Sequence, residues 1–575
     1  MSQLSPLVRR GGWRGLARHL ATLTLPQRED YDRLGRTWRG DLIAGVTVGI
    51  VALPLALGFG VASGVGAAAG LVTAIVAGFV AAVFGGSHLQ VSGPTGAMTV
   101  VLIPVVARYG VDAVFALAVL AGVLVIIMGL VGMGRLVSII PWPVVEGFTL
   151  GIGVIIFLQQ VPLALDTARP EVENAAVAAL QTLQITDWQQ ARLPLLVTLG
   201  VIVTMIVLNR VRRSLPSSLI AVALATLVAE IFALDIDRIG ALPDSLPSFS
   251  IPEWDLAAMS AMFPSALAIA ALAALESLLA ARVSDGMVDE VPNTNSDREL
   301  VGQGFANVAS GLFGGMPATG AIVRTAVNVR AGGRTRVASA SHALVLVAIV
   351  LVATPIVSLI PMSALAGVLI VTAIRMIDLA TARAIMRATR ADATVYLATI
   401  AVTIVFDLVV AVQVGVAVAA LLALRAMARV SGLRRHDVPD ELAGEAEADL
   451  LREHVAVYRF HGAMFFGGTK QFLDEMTTVK DVKVIILTLS EVRVMDASGA
   501  HALNEIITDL KRRGITVLLK GLDAQQLKMA SSVGVLDALG TREHYFTDLA
   551  AAIAHARNHV HYELDGTARL DCSVA

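Results

Sequence analysis

The sequence predicts a multi-pass α-helical membrane protein of fourteen spans, followed by a small α/β domain at its C-terminal end. Three observations carry this. Hydrophobic residues make up 56% of the 575 residues and charged ones only 16%, against roughly 45–50% and about 25% in soluble domains. Apolar runs follow one another with short breaks from Leu42 to Met427, after which the texture changes. A proline-containing break recurs at the start of two of these runs.

A span needs ~20 mainly apolar residues, or fewer where a helix is broken. The apolar runs give spans at 42–60, 67–85, 96–108, 111–131, 142–161, 193–209, 216–234, 263–282, 300–313, 319–330, 340–360, 363–377, 391–407 and 411–428. The count is even, so both ends lie on one side of the bilayer. The positive-inside rule assigns the side. With the N-terminus inside, the cytoplasmic loops hold Arg135, Arg210, Arg212, Arg213, Arg330, Arg334, Arg336, Arg383, Arg387 and Arg390. The longest opposite loop carries Asp235, Asp237, Asp244, Glu253 and Asp255 against Arg238 alone. A bacterial inner-membrane protein with both termini cytoplasmic is expected.

The chain divides into a cytoplasmic N-terminal segment (1–38), a transmembrane domain (39–430, with repeats at about 39–236 and 262–428), a charged linker (431–452), a cytoplasmic α/β domain (453–560) and a tail (561–575). In the α/β domain 455–460, 482–489 and 516–520 read as strands. Helices are expected at 469–478, 498–513, 525–530 and 547–558. Strands alternating with helices indicate an α/β unit.

The net charge of −2 argues against a nucleic-acid partner, which calls for a basic stripe. Cys572 is the one cysteine, so no disulfide or cysteine metal site forms within the chain. Arg9, Arg10, Arg14 and Arg18 precede the first apolar run, but further runs follow, so no cleaved signal peptide is read. No nucleotide-binding loop is found, and the histidines are read as not clustering at metal spacing. No enzyme activity, cofactor or metal is therefore expected. Gly-rich stretches lie inside apolar spans and read as close helix packing.

The break motif points to a site. Gln90-Val91-Ser92-Gly93-Pro94-Thr95-Gly96-Ala97 opens the third span, and Gly315-Met316-Pro317-Ala318-Thr319-Gly320-Ala321 opens the tenth. Both run from proline into threonine-glycine-alanine. The offset is seven spans, an odd number, so the halves are inverted, as in many secondary transporters. Non-helical backbone at membrane depth is tolerated only inside protein or along a watery cavity. A helix starting there exposes free N–H groups and the positive end of its dipole. Two such starts facing each other make an anion site. Gln90, Ser92, Thr95, Gly96, Ala318, Thr319, Gly320 and Ala321 are its candidate lining, with the hydroxyls of Ser92, Thr95 and Thr319 as added donors. Arg324, a little over one turn into the tenth span, raises the positive potential. An arginine in a span costs ~2.5–3.5 kcal/mol on insertion scales and is a functional candidate by default.

Glu276 is the most isolated acid of the apolar region, inside 266–281. Desolvation disfavours a bare carboxylate there, which suits proton exchange. A sodium ligand set needs several oxygens. Ser277 reads as pointing elsewhere on the helix and Ala280 has none, so a proton is favoured over sodium as coupling ion. Glu146 and Glu230 lie near span ends and rank lower.

These residues carry a resemblance. Asp41-Leu42-Ile43-Ala44-Gly45-Val46-Thr47-Val48-Gly49-Ile50, the Ser92–Thr95 turn, Glu299-Leu300-Val301-Gly302-Gln303-Gly304 and the segment 317–324 resemble the SulP (sulfate permease) family of anion transporters. The region around Asp496-Ala497-Ser498-Gly499 resembles that family's STAS domain. The resemblance implies a seven-plus-seven inverted repeat with core and gate domains, elevator-like motion, and commonly a homodimer. It implies a substrate site between the third and tenth half-helices, near the first and eighth spans, into which Ser92, Thr95, Thr319 and Arg324 map. Glu276 matches the eighth-span acidic position. Leu275-Glu276-Ser277-Leu278-Leu279 resembles a bacterial branch that includes C4-dicarboxylate transporters. Sodium-coupled bicarbonate relatives carry an aspartate and a later hydroxyl there. Ser498 matches a serine that is phosphorylated in related anti-sigma-factor antagonists. It is a candidate regulatory residue, and the domain a candidate site for a cytoplasmic partner. A plain helix N-cap is the alternative.

The expected function is secondary active transport of a small anion (sulfate, bicarbonate or C4-dicarboxylate), proton-coupled, within a lipid bilayer. An anion channel or uncoupled exchanger is the alternative; a passive pore gives Glu276 no task.

Overall fold

The structure, a computed structural model, describes residues 20–134, 141–170, 172, 174–212, 215–240, 249–252, 256–406, 408–430, 432–436, 448–465 and 482–565. The chain forms two compact units, Met1–Ala417 and Val418–Ala575.

The first unit is helical: α1 (Leu34–Ala62), α2 (Ala67–Phe84), α3 (Gly96–Tyr109), α4 (Asp112–Leu130), α5 (Trp142–Ala164), α6 (Ala175–Ile185), α7 (Arg192–Val211), α8 (Ser217–Ile231), α9 (Leu256–Asp285), α10 (Ser296–Leu312), α11 (Ile322–Arg330), α12 (Arg336–Val357), α13 (Met362–Met376), α14 (Leu379–Ala388), α15 (Arg390–Val405) and α16 (Leu408–Val430), which runs past the unit's end. Among the described residues eight helices are long and apolar enough to cross a membrane. The other six expected spans fall on the shorter helices α3, α8, α10, α11 and α15 and on α16, which is 23 residues long. Two short helices, α6 and α14, interrupt stretches read as loops. The side chains of Asn174 and Asp378 cap them, accepting N–H groups of their first turns.

Apolar side chains pack two main cores in this unit. Met98, Leu102, Val125, Ile152, Ile269 and Leu300 build one. Leu57, Leu71, Met205, Leu346 and Leu365 build the other. Outward residues such as Val352, 81% exposed, suit a lipid surface. Glycine permits close helix contact between α4 and α10: a Cβ on Gly122 would lie 2.7 Å from the Gly304 carbonyl oxygen.

The segment before α1 is tied to this bundle. Asp30, in a 3-10 turn over Arg28–Tyr31, accepts both Arg298 Nη1 at 3.0 Å and Nη2 at 2.7 Å, and Arg336 Nη2 at 3.1 Å. Burial alone would raise its carboxyl. The Arg298 hydrogen bond, the Gln27 N–H and the two arginine charges outweigh burial and hold it below the usual carboxylate range. Nearby, burial and the Arg336 charge push His88 down to about 4.

The second unit is a five-stranded sheet in the order β3 (Gly432–His436), β4 (Val455–Met464), β5 (Val484–Met495), β6 (Thr516–Lys520), β7 (Tyr545–Phe546). β1 (Ser92–Gly93) and β2 (Thr319–Gly320) are short strands of the first unit. β3, in the segment read as linker, pairs antiparallel with β4; the other pairs are parallel. Parallel strands are covered on both faces, hence the unbroken apolar run from Val484 to Leu487. Ile485, Leu487 and Leu519 face one core with α18 (Ala497–Arg512), α19 (Ala524–Ser532) and α20 (Val535–Leu539). Val484, Ile486 and Leu518 face the other, covered by α21 (Leu549–Asp565) and by Leu451 of α17 (Ala448–His454). The helix expected at 469–478 lies outside the described residues. The reading of scattered histidines is corrected: His544, His555 and His559 converge. The latter two stand one helical turn apart, and the third arrives through the fold.

Candidate functional site

The two sequence breaks meet. β1 (Ser92–Gly93) and β2 (Thr319–Gly320) pair antiparallel, with Ser92 opposite Gly320 and Gly93 opposite Thr319. Each strand feeds a half-helix, β1 into α3 and β2 into α11. Gly93 takes a φ of 152°, which glycine permits, and Pro94 has no N–H to extend a helix backwards. Neither α3 nor α11 has a side-chain cap. Their first N–H groups therefore lack intrahelical partners, and both positive dipole ends lie at the crossing.

Thr95, the N-cap residue of α3, turns its hydroxyl away from its own helix. It donates to Glu276 Oε2 at 2.8 Å, and Thr319 donates to the same oxygen at 2.6 Å. The two hydroxyl oxygens are 3.2 Å apart. Glu276 comes from the middle of α9 and is partly exposed, while Thr95 and Thr319 are buried. Ser277 also reaches the crossing, contrary to the sequence reading: its Oγ accepts the Gly320 N–H at 3.0 Å. One helix thus holds β2 by a carboxylate and by a hydroxyl, and the same carboxylate holds the N-cap of α3.

Arg324 is the third residue of α11, inside its first turn rather than beyond it, because the helix starts at Ile322. It is 2% exposed. Its Nη2 donates to the Pro94 carbonyl at 2.7 Å, and Nη1 has no partner among the described residues. A Cβ on Gly93 would lie 2.6 Å from that Nη1. Arg324 and Glu276 act on each other electrostatically. Gln90 packs its side-chain amide against Gly320, and both its polar atoms are buried without a partner among the described residues.

Several expected lining groups are instead engaged by the scaffold. The Ser92 hydroxyl accepts Gln303 Nε2 at 2.5 Å. The Ala318 N–H goes to Asn307 Oδ1 at 2.8 Å and the Ala321 N–H to the Val91 carbonyl at 2.9 Å. Gly96 sits under Ile156 and Phe59, which a Cβ there would strike. The scaffold was not visible in the sequence pattern. Gln303 also donates to Glu299 Oε1 at 2.9 Å, and Glu299 Oε2 accepts the N–H groups of Gly86 and Ser87 at 2.7 and 2.8 Å. These bonds fasten the chain leading into β1 onto α10. His342 of α12 is fully buried beside Gly78, with Nδ1 2.5 Å from the Ser339 carbonyl and Nε2 unpartnered among the described residues.

A cavity of about 830 Å3 runs beside the far part of α3, lined by Ser63, Arg108, Gln160 and Arg169 among others. In the second unit Ser498 is exposed at the second position of α18. The cap there is Asp496, whose Oδ1 accepts the Gly499 N–H at 2.8 Å, so Ser498 is not the N-cap.

Chemically, the crossing offers free helix N-termini, an unspent guanidinium N–H, a buried amide and a carboxylate that accepts two hydroxyl hydrogen bonds.

A sequence model described as "Sulfate permease family" matches residues 38–399, and a STAS-domain model matches 450–552. A putative sulfate transporter of Bacillus subtilis, YvdB, is 34% identical over 514 residues, covering 88% of this chain and 95% of its own. The bicarbonate transporter BicA of Synechocystis is 33% identical, covering 85% and 89%. The solved transmembrane domain of a cyanobacterial BicA superposes with a TM-score of 0.60 at 34% identity, over 65% of this chain and 97% of that one. The murine Slc26a9 anion transporter, in an inward-facing state, reaches 0.80 at 17% identity, over 94% and 93%, a likeness of fold.

Proposed function

The chain belongs to the sulfate permease family, and from that premise we propose that it is a secondary active transporter of a small oxyanion of the sulfate or bicarbonate class, coupled to protons. The observation that carries this reading is the shared oxygen of Glu276, bonded by Thr95 and Thr319 at 2.8 and 2.6 Å.

A charged Glu276 occupies both hydroxyl donors and repels a second anion at the same place. A proton on Glu276 removes the repulsion and frees the hydroxyls to turn towards an incoming oxyanion. The helix N-termini of α3 and α11, Arg324 Nη1 and the Gln90 amide supply the remaining donors, and charge-assisted hydrogen bonds outrank neutral ones. Anion and proton then enter together. The partly exposed edge of Glu276 is the proton's way in, and the Arg108 and Arg169 cavity is an anion vestibule. Release on the other side follows an elevator-like movement of a core domain against a gate, in a homodimer with both termini cytoplasmic.

The test is uptake of labelled sulfate, bicarbonate and succinate into proteoliposomes, with and without an inward proton gradient. Accumulation of at least one anion driven by the gradient is expected. Uptake indifferent to the gradient, or dependent on sodium, contradicts proton coupling.

A further inference from the structure

We propose that the C-terminal unit binds a zinc ion through His544, His555 and His559. On α21, His555 and His559 are four residues apart and share one face. Their Nε2 atoms are 3.2 Å apart. His544 ends the turn Arg542–His544 that leads into β7, and its ring packs over both: centroid distances are 5.4 Å to His555 and 5.3 Å to His559, with 4.9 Å between those two. One ligand nitrogen from each of the three lies within 4.8 Å of the others.

Tetrahedral zinc holds imidazole nitrogens at ~2.0–2.1 Å, which sets pairs of them roughly 3.3 Å apart. The His555–His559 pair already has that spacing, and a small rotation of His544 completes the set. A hydrogen bond between the two helix histidines explains their pair alone and gives the third ring no role.

The orientation of His544 fits ligation. Its Nδ1 lies 3.1 Å from the Leu539 carbonyl, so it carries the proton and leaves Nε2 as the free donor atom. This outer hydrogen bond is the usual companion of a ligating histidine. Phe546 covers His555 from the side, with ring centroids 5.3 Å apart. Two charged groups act on the cluster: the Glu543 carboxylate favours a cation there, and Lys511 opposes it. Lys511 Nζ is drawn to the Ala538 carbonyl at 3.2 Å. Three imidazoles select a borderline transition cation over magnesium or calcium, and leave a fourth position for water. A bound ion ties the last helix to the β7 edge of the sheet, so its binding energy adds to the unit's stability.

The experiment uses untagged full-length protein in detergent micelles, stripped with chelator and re-equilibrated with zinc chloride. Zinc per chain is read by elemental analysis, and cobalt substitution by visible absorption. One zinc per chain, the d–d bands of four-coordinate cobalt and a zinc-raised melting temperature are expected. His555→Gln and His559→Gln lose all three, while His501→Gln, exposed on α18, keeps them. The elution profile of each variant reports folding. Wild-type protein that takes up no more zinc than the triple glutamine variant overturns the proposal, as do well-folded single variants that still hold a full equivalent.

Discussion

Thr319 donates its hydroxyl to Glu276 Oε2 at 2.6 Å, across the point where two broken helices cross. The acid is therefore bonded to a residue of the proposed anion site. Glu276→Gln keeps the shape and removes the exchangeable proton. Accumulation driven by an inward proton gradient should collapse, while equilibrium exchange and part of the binding survive. Counterflow and gradient-driven uptake measured on the same proteoliposomes separate the two, and unimpaired accumulation removes Glu276 from the coupling.

Thr319→Ala deletes one hydroxyl and leaves the backbone donors in place. A loss of about 1 kcal/mol, several-fold in apparent affinity, is expected. Thr319→Asp sets a second carboxylate beside Glu276 and should abolish binding at neutral pH. Isothermal titration of both variants with the transported anion checks the ranking.

Arg324→Ala removes a buried charge and leaves the Pro94 carbonyl without its donor. The lost potential acts on every unit of ligand charge, so a divalent anion should lose more affinity than a monovalent one. Competition between sulfate and a monovalent anion, compared with wild type, reads this difference directly.

Asp30 answers two arginines, and Asp30→Asn leaves both short of a counter-charge. Breaking a buried pair from one side costs roughly 3–5 kcal/mol. A lower melting temperature is expected at neutral pH. Because the folded carboxyl lies below its ordinary value of 3.8, its stabilisation is fully present above that value and is lost as pH falls through the folded one. Wild type should therefore shed this contribution only below about pH 4, and Asp30→Asn should lack that acid-dependent step. Melting curves across pH in one detergent show whether the step belongs to Asp30.

The helical framework was legible because lipid demands it: apolar runs, and prolines or glycines where they stop. The paired breaks at Ser92–Gly93 and Thr319–Gly320 were legible for the same reason, since their symmetry shows in the letters. The partners of the site were not. Gln303 to Ser92, Asn307 to Ala318 and Ser277 to Gly320 join residues that only the packed bundle brings together. Periodicity says which face of a helix is apolar and nothing about which polar group it meets. Both α6 and α14 were absorbed into loops, α6 because its 11 residues are too few to span a bilayer and α14 because its charged face breaks the apolar run. The His555–His559 spacing lay open in the sequence. His544 joins it only once β7 is laid against β6.

The most direct test of the coupling at the crossing is proton uptake when the anion binds. Purified protein in weakly buffered detergent solution is mixed with saturating sulfate or succinate, and the pH change is recorded against Glu276→Gln. Proton coupling through Glu276 predicts about one proton taken up per anion bound by wild type, near a pH where Glu276 is charged, and none by the glutamine variant. Binding by wild type without proton uptake, or equal uptake by both proteins, contradicts it.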